Sequence, residues 1–251
     1  MPFLRVNDVD LHIQRMGSGS PVVMIHGLVI GNLASWYFRL APVVARTHQV
    51  VLYDLRGHGR SERVMTGYDL DNMADDLSGV ISQTCGQPVY LVGHSYGCLV
   101  ALRYALDHPG SVDRLVLVDA PLPPACLARS LSPMGQSVDH LLEVVPDVVR
   151  EAMAKGSRQA KKFFDNYRFL VEKSSLITNL EAEPDFSDEE LSRLQARVLC
   201  LYGNESFFLP TMEKLKRALH KAETVVLPGS HYLPNECPDL LAARIEEFLN
   251  D

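Results

Sequence analysis

The sequence predicts an α/β fold with a mostly parallel eight-stranded sheet and helices on both faces. Short runs of apolar residues, which are typical of buried strands, alternate along the chain with stretches of helical periodicity. Because buried strands joined by helices pair in parallel, these runs predict one continuous sheet. Six such strands are expected, and they centre on the runs Val22–Ile25, Val50–Tyr53, Val89–Val92, Leu115–Val118, Val198–Tyr202 and Thr224–Leu227.

Two further strands at the N-terminus are expected to form an antiparallel hairpin. Residues Phe3–Val6 and Asp10–Met16 alternate in polarity, and the pair Asn7 and Asp8 separates them. The segment Gly17–Pro21 then breaks the pattern before the first buried run. Helices are expected between the later strands, at Leu33–Ala45, Leu70–Thr84, Cys98–Asp107, Thr211–His220 and Pro238–Leu249.

A long insertion interrupts the alternation of strands and helices. No strand run occurs between Pro121 and about Asp188, whereas helical patterns occur near Ser137–Val149 and Ser157–Val171. Such a length is too great for an ordinary loop. We therefore expect a core of residues 1–120 and 189–251, with a helical lid at residues 121–188 inserted after strand 6.

Composition excludes several classes of protein. The chain has 251 residues, of which 47% are hydrophobic and 22% charged. These values are ordinary for a soluble globular protein and exclude a disordered chain, a collagen and a coiled coil. The net charge of −7 provides no electrostatic footprint for nucleic acid or an anionic membrane.

The N-terminus and the cysteines bear on the location of the protein. The first residues alternate in polarity, without the continuous apolar stretch of a signal peptide. No segment reaches the roughly 18 uncharged apolar residues of a membrane span. The five cysteines are odd in number and lack C-x-x-C spacing, which favours free thiols over disulfides or a zinc site. We expect a cytoplasmic protein without a metal.

The segment Gly93–Gly97, Gly-His-Ser-Tyr-Gly, matches the pattern G-x-S-x-G. It lies between a strand run and a helical pattern, which is the context of a nucleophile elbow. The sharp turn strains the backbone of Ser95, so small residues are needed on both sides. The following helix directs free N–H groups and the positive end of its dipole at the serine. Ser95 is therefore the candidate nucleophile.

With these motifs the chain resembles the α/β-hydrolase family, in the subgroup with a lid after the sixth strand. Three further segments carry the resemblance: His26-Gly27 after the first buried strand, Asp54–Ser61 after the next, and Gly229–His231 after the last. The resemblance covers nearly the whole chain. It implies an α/β-hydrolase fold, a serine hydrolase with a catalytic triad, and no cofactor.

The resemblance also implies an oxyanion hole made of backbone N–H groups. Tyr96 follows the nucleophile, and Leu28 lies in the loop after the first buried strand. Two such donors stabilise the negative charge of a tetrahedral intermediate, and losing one costs about 3–4 kcal/mol. For His26 a structural role in this loop is favoured over proton transfer. The segment Asp54–Ser61 is expected to brace the loop rather than to bind a metal or phosphate.

His231 is the candidate general base. Of nine histidines, it alone lies just after the last strand and just before the last helix. A loop at this point can reach the strand ends, where open α/β sheets build their sites. A neutral imidazole there can take the proton of Ser95 and later return it to the leaving group.

The acid of the triad is uncertain from sequence. The family's usual aspartate follows the seventh strand in a G-x-x-D pattern, but here the fourth position is Ser206. Two carboxylates could replace it. Asp119 ends the sixth strand, where haloalkane dehalogenases and certain synthase thioesterases of this fold carry their acid, and Glu205 lies one residue before Ser206. We prefer Asp119, while Glu205 and a site without a functional acid stay open.

A serine nucleophile favours acyl chemistry. The expected reaction is hydrolysis of an ester, thioester or lactone bond of a mostly apolar small molecule through an acyl-enzyme on Ser95. Candidate substrate-binding residues are Val29, Trp36 and Leu122. The expected partner is a small-molecule substrate, and the chain is expected to be a monomer or a homodimer. Two alternatives stay open: a C–C bond hydrolase on the same triad, and a ligand-binding protein on a hydrolase fold.

Overall fold

One mixed sheet of eight strands organises the protein. The computed structural model describes residues 2–28, 31–86, 88–131, 155–220 and 222–251. The strand order is β1-β2-β4-β3-β5-β6-β7-β8, and only β1–β2 and β2–β4 pair antiparallel. The strands are β1 (Phe3–Val6), β2 (Val9–Met16), β3 (Ser20–Ile25), β4 (His48–Tyr53), β5 (Val89–His94), β6 (Val112–Val118), β7 (Arg197–Gly203) and β8 (Ala222–Leu227).

The predicted hairpin and the six later strands are confirmed, but β8 is an edge strand and not a buried one, with Val226 46% exposed. Asn7 and Asp8 have φ values of 45° and 61°, as a tight two-residue turn requires. Several strands begin before their apolar runs, as β6 shows. Its first residues, Val112 to Arg114, alternate in burial, because only the later part of this strand is covered on both faces.

Helices cover both faces of the sheet. A π-helical turn, Phe169–Lys173, directly follows the helix Arg158–Arg168. In the described part of the chain the helices are α1 (Ala34–Tyr37), α2 (Ala41–Val44), α3 (Leu70–Thr84), α4 (Tyr96–Asp107), α5 (Ala125–Leu131), α6 (Arg158–Arg168), α7 (Leu176–Ala182), α8 (Asp188–Ser192), α9 (Leu209–Ala218), α10 (Leu233–Glu236) and α11 (Pro238–Asn250).

One helix prediction is wrong. The stretch Leu33–Ala45 does not form a single helix but the two short helices α1 and α2. Pro42 lies in the first turn of α2. Proline has no N–H to donate, and its ring clashes with the carbonyl four residues earlier, so a continuous helix cannot pass through this position. The apolar periodicity was right, but the proline divides the element.

The insertion after β6 packs on the core. The predicted helix at Ser137–Val149 lies outside the described residues, whereas the pattern at Ser157–Val171 corresponds to α6 and its π-helical turn. Arg63 Nε donates to Asn166 Oδ1 at 2.9 Å. The backbone N–H of Leu70 donates to Glu183 at 3.0 Å. These bonds join the insertion to the segment before α3 and to the first residue of that helix.

Two apolar layers hold the sheet. One lies against α3 and α4, and the other lies against α1, α2 and α11. The central strands are therefore buried on both faces, and the carboxyl ends of β3, β5, β6 and β7 meet at one edge. Among the described helices, none is both long and apolar enough to cross a membrane.

Candidate active site

Ser95 lies in a strained turn between β5 and α4. Its φ and ψ are 54° and −125°, a conformation that costs a non-glycine residue free energy. The Ser95 N–H donates to the Val118 carbonyl at 2.9 Å, so the neighbouring strand holds the turn. Gly97 allows the close packing of this turn, because a Cβ there would lie 2.4 Å from the Ile25 carbonyl oxygen. The predicted elbow geometry is present.

His231 reaches the serine from the loop after β8. Its Nε2 lies 2.9 Å from Ser95 Oγ, and both side chains are buried. His94 fixes the backbone of this loop, since its Nε2 lies 2.8 Å from the His231 carbonyl oxygen. Burial lowers the pKa of His94 to about 3. This ring is therefore neutral near pH 7 and donates its Nε2–H to that carbonyl.

Asp119 lies directly after β6 and meets the other side of the His231 ring. The Asp119 Oδ2 atom is 2.6 Å from His231 Nδ1, and the carboxylate is 0% exposed. The backbone N–H of Gly203 donates to Asp119 Oδ1 at 3.1 Å. The structure thus brings Ser95, His231 and Asp119 into one hydrogen-bonded chain.

Of the two neighbours Glu205 and Ser206, only Ser206 contacts the hydrogen-bonded chain of Ser95, His231 and Asp119. Glu205 has an exposed side chain, and its backbone N–H donates to the Gly229 carbonyl at 2.9 Å. Ser206 is buried, and its hydroxyl donates to Asp119 Oδ2 at 2.6 Å. Glu205, the alternative acid that the sequence left open, therefore lies outside the hydrogen-bonded chain of the site. Sequence reasoning missed the Ser206–Asp119 bond, although Ser206 occupies the position where the family pattern expects the acid.

The loop after β3 passes against the nucleophile. A Cβ on Gly27 would lie 2.9 Å from Ser95 Cβ, so only glycine permits this approach. His26 braces the loop: its Nδ1 lies 2.7 Å from the Gly27 carbonyl oxygen, and Leu55 N–H donates to its Nε2 at 3.0 Å. Burial lowers the pKa of His26. Leu28 follows Gly27 directly in this loop, and its backbone N–H stays the predicted second donor of the oxyanion hole.

The Tyr96 side chain is fixed in the core and is not available for proton transfer. It is buried, and its hydroxyl donates to the Tyr68 carbonyl at 3.0 Å. Burial raises the pKa of this hydroxyl well above its usual value. The backbone N–H of Tyr96 opens α4 directly after Ser95. Tyr96 can therefore offer its N–H to the site while its ring is fixed in the core.

The segment Asp54–Ser61 is structural. The Asp54 carboxylate accepts from the backbone N–H groups of Leu33 and Arg60, at 2.8 and 2.9 Å, and lies 2.9 Å from His12 Nδ1. The bond from Leu33 ties the segment to the residues that follow the loop after β3, and the contact with His12 ties it to β2. Within the described residues, no group of three or more His, Cys, Asp or Glu side chains could hold a metal. The His12 contact was not predictable from the sequence, because β2 and β4 become neighbours only in the sheet.

Two of the three predicted substrate-binding residues, Trp36 and Leu122, are buried. The prediction that Trp36 binds substrate is wrong. Its side chain is 0% exposed and packs edge-on against His94 with ring centroids 6.3 Å apart. Trp36 therefore packs in the core beneath the site and does not line it. Leu122 is also buried, with Thr211 Oγ1 3.3 Å from its backbone nitrogen. Val29 lies outside the described residues.

Aromatic rings surround His231 instead. The ring centroids of Phe208, Tyr232 and Phe207 lie 4.9, 5.4 and 6.1 Å from that of the imidazole. Phe207 is 71% exposed, which is unusual for so large an apolar side chain beside a buried histidine. Sequence reasoning missed these rings. For two of them the signal in the sequence was the pair Phe207 and Phe208, which directly follows Ser206 at the end of the G-x-x-D position.

Comparison with known proteins identifies the family of the chain. A family model described as the alpha/beta hydrolase fold matches residues 20–168. The chain belongs to the α/β-hydrolase fold family. Among family members, the AB hydrolase superfamily protein YisY of Bacillus subtilis (strain 168) is 29% identical over 261 residues, with 96% of each chain covered.

Solved structures show the same fold over the whole chain. The enol-lactonase from Burkholderia xenovorans LB400 has a TM-score of 0.78 at 19% identity, with complete coverage of both chains. The esterase EaEST from Exiguobacterium antarcticum has a TM-score of 0.79 at 21% identity, with 99% of each chain covered. Both likenesses concern the α/β-hydrolase fold itself.

Proposed function

We propose that this protein is a serine hydrolase that cleaves an ester, thioester or lactone bond of a mostly apolar small molecule. The observation that carries the proposal is the continuous chain from Ser95 Oγ through His231 to Asp119 Oδ2, with distances of 2.9 and 2.6 Å. This arrangement has the geometry in which a histidine activates a serine and a carboxylate fixes the histidine tautomer.

The first half-reaction acylates Ser95. With Nδ1–H bonded to Asp119, His231 Nε2 is free to accept the proton of Ser95 as Oγ attacks the carbonyl carbon. The N–H groups of Leu28 and Tyr96 stabilise the negative charge that develops on the carbonyl oxygen. The imidazolium then gives its proton to the departing alcohol or thiol, and the acyl group stays on Ser95 as an ester.

The second half-reaction restores the serine. His231 Nε2 accepts a proton from water as the water oxygen attacks the acyl carbon. The tetrahedral intermediate collapses, the bond from the acyl carbon to Ser95 Oγ breaks, and the proton returns to Ser95. The products are a carboxylic acid and the free enzyme, so no cofactor takes part.

The rings beside His231 support an apolar substrate. Phe207 presents most of its surface to solvent at a distance of 6.1 Å from the imidazole. A bound acyl or alcohol group that covers this ring removes apolar surface from water, which is worth about 25 cal/mol per Å². Ring edges and apolar walls with few polar groups are typical of sites for small apolar ligands.

The insertion at residues 121–188 is proposed to cover this site. It starts two residues after Asp119, so its first turn lies at the active edge of the sheet. Lys162 and Phe163 of α6 line a cleft of about 310 Å³ together with Asn32 and Arg60. Helix α6 therefore lies beside residues 31–34, which follow the loop after β3. Excision of residues 123–185 is expected to broaden or abolish substrate choice while the sheet stays folded. An excised protein with full rate and selectivity would contradict the lid.

A fluorophosphonate probe tests the activity, because it labels only an activated serine. The wild-type protein is expected to gain one adduct, and the Ser95→Ala variant none. Nitrophenyl esters of increasing acyl length then measure turnover and chain-length preference. A folded wild-type protein that is neither labelled nor active on any ester would contradict the proposed function and favour a binding role.

A further inference from the structure

The carboxylate of Asp119 receives three hydrogen bonds, and one of them comes from a side chain with no assigned role. His231 Nδ1 and Ser206 Oγ each lie 2.6 Å from Oδ2, and Gly203 N–H donates to Oδ1 at 3.1 Å. A bond of this length is typical of a hydroxyl that donates to a charged oxygen. Both side chains that meet at Oδ2 are buried, so water does not replace either of them in the folded protein.

The Ser206 hydroxyl has only one direction in which to donate. The backbone N–H of Phe208 donates to Ser206 Oγ at 3.0 Å. The serine oxygen is therefore the acceptor in this bond, and its own proton is directed elsewhere. A hydroxyl carries a single proton, and Asp119 Oδ2 is the acceptor at 2.6 Å. The main chain of Ser206 is also held, because its N–H donates to the Gly203 carbonyl at 3.1 Å. The donor is therefore oriented before substrate arrives.

We infer that Ser206 is a positioning residue, which holds the Asp119 carboxylate in the rotation that directs Oδ2 at His231 Nδ1. This inference rests on the proposed function for its catalytic consequence, and on the three bonds above for its geometry. Without the hydroxyl, Oδ2 keeps only His231 Nδ1 as a donor, and the Gly203 N–H alone fixes the rotation of the carboxylate from the Oδ1 side. The carboxylate is then held less firmly against the imidazole, so Nε2 is directed at Ser95 for a smaller fraction of the time.

Removal of the hydroxyl gives the first test. Ser206→Ala is expected to lower kcat on a nitrophenyl ester about 10-fold with KM unchanged, since the lost hydrogen bond to a charged group acts here only through His231. Ser206→Thr keeps the hydroxyl and is expected to recover most of that loss. The downfield proton resonance of the His231 Nδ1–H is expected to shift in the alanine variant. A wild-type kcat together with an unmoved resonance would overturn the inference.

Ser206→Cys gives the second test and decides the matter if Ser206→Ala fails to fold. The thiol fills the place of the hydroxyl but is a weak donor, so this variant is expected to fold, to lower kcat about 10-fold with KM unchanged and to shift the His231 Nδ1–H resonance. A wild-type kcat and an unmoved resonance in Ser206→Cys would overturn the inference.

These outcomes are separate from failure of the proposed function. The Nδ1–H resonance is recorded on the free protein, so it reports on Ser206 whatever the substrate is. A wild-type protein that resists the fluorophosphonate probe but shows the expected shift in Ser206→Ala would overturn only the serine hydrolase. A labelled wild-type protein with no response at position 206 would overturn only the positioning role.

Discussion

Ser95 and Asp119 have almost the same backbone torsion, with φ values of 54° and 53°, at the ends of the neighbouring strands β5 and β6. Both are non-glycine residues in the left-handed region, which is costly unless the surroundings impose it. The sheet does so here: Ser95 N–H donates to Val118 at 2.9 Å, and Asp119 N–H donates to Leu201 at 2.7 Å. The same pairing that strains the two residues brings their side chains to one edge.

The strain at Ser95 predicts an inverted order of stability for two substitutions. Ser95→Gly is expected to have a free energy of unfolding about 1 kcal/mol higher than Ser95→Ala, because glycine adopts a positive φ without steric cost. Urea unfolding of both inactive variants measures the difference. Ser82 is the matched control, since it is exposed in α3 and glycine should there be less stable than alanine by about 1 kcal/mol. The same order at both positions would contradict strain at Ser95.

The two carboxylates near the His231 loop predict unequal effects on turnover. Asp119→Asn is expected to lower kcat by about 10⁴-fold, since the imidazole loses the acceptor that sets its tautomer. Glu205→Gln is the matched control and is expected to stay within about twofold, because its side chain is exposed. Ester turnover and melting temperature of both variants test this. A mild Asp119→Asn together with a crippling Glu205→Gln would show that Asp119 is not the acid.

Buried histidines predict a loss of stability in acid. Burial lowers the pKa of His58 and of His94 to about 3, whereas an unfolded histidine titrates near 6.5. Between these values the unfolded chain binds more protons than the folded chain. The free energy of unfolding therefore falls as the pH decreases from about 6.5 to 3, by up to about 1.4 kcal/mol per pH unit for each histidine.

Urea unfolding at a series of pH values between 7.5 and 4.5 measures this dependence. His58→Asn provides the comparison, because the asparagine amide can replace the Nδ1–H that faces the Arg56 carbonyl at 2.9 Å without titrating. The variant is expected to have a shallower slope than the wild type. Parallel slopes would mean that His58 titrates alike in the folded and unfolded chains.

Phe207 is expected to influence the preference for acyl length. Phe207→Ala should raise KM for an octanoate ester about 5- to 10-fold and change KM for the acetate less than about twofold, since each buried methylene is worth about 0.8 kcal/mol. Phe38→Ala is the matched control: this phenylalanine is 74% exposed and packs against Tyr37. If the two variants shift chain-length preference alike, Phe207 does not contact the substrate.

The fold was predictable because its signals are local. Apolar runs such as Val22–Ile25 identify buried strands, and the positive φ values of Asn7 and Asp8 suit the residue types of the predicted turn. The elbow was also local, since Ser95 and its flanking glycines are contiguous. The exception was the stretch Leu33–Ala45, where Pro42 divides one predicted helix into two.

The rest of the site depends on contacts between distant segments. Sequence offered two carboxylates for His231, because which strand end faces the loop after β8 is decided by the packing of β6 against β7. Trp36 was expected at the substrate, but periodicity does not say on which side of the loop a ring lies, and the fold buries it. The bond between Ser206 and Asp119 joins positions 87 residues apart, and no local pattern carries it.

The acyl-enzyme is the central claim, and its direct measurement is the mass of the protein during turnover. Wild-type protein mixed with a nitrophenyl ester and quenched in acid within the first turnovers is expected to gain the mass of one acyl group, and peptide mapping is expected to place that group on Ser95. Ser95→Ala should gain none. An acyl group on another residue, or rapid turnover with no acylated protein at any time, would contradict the account.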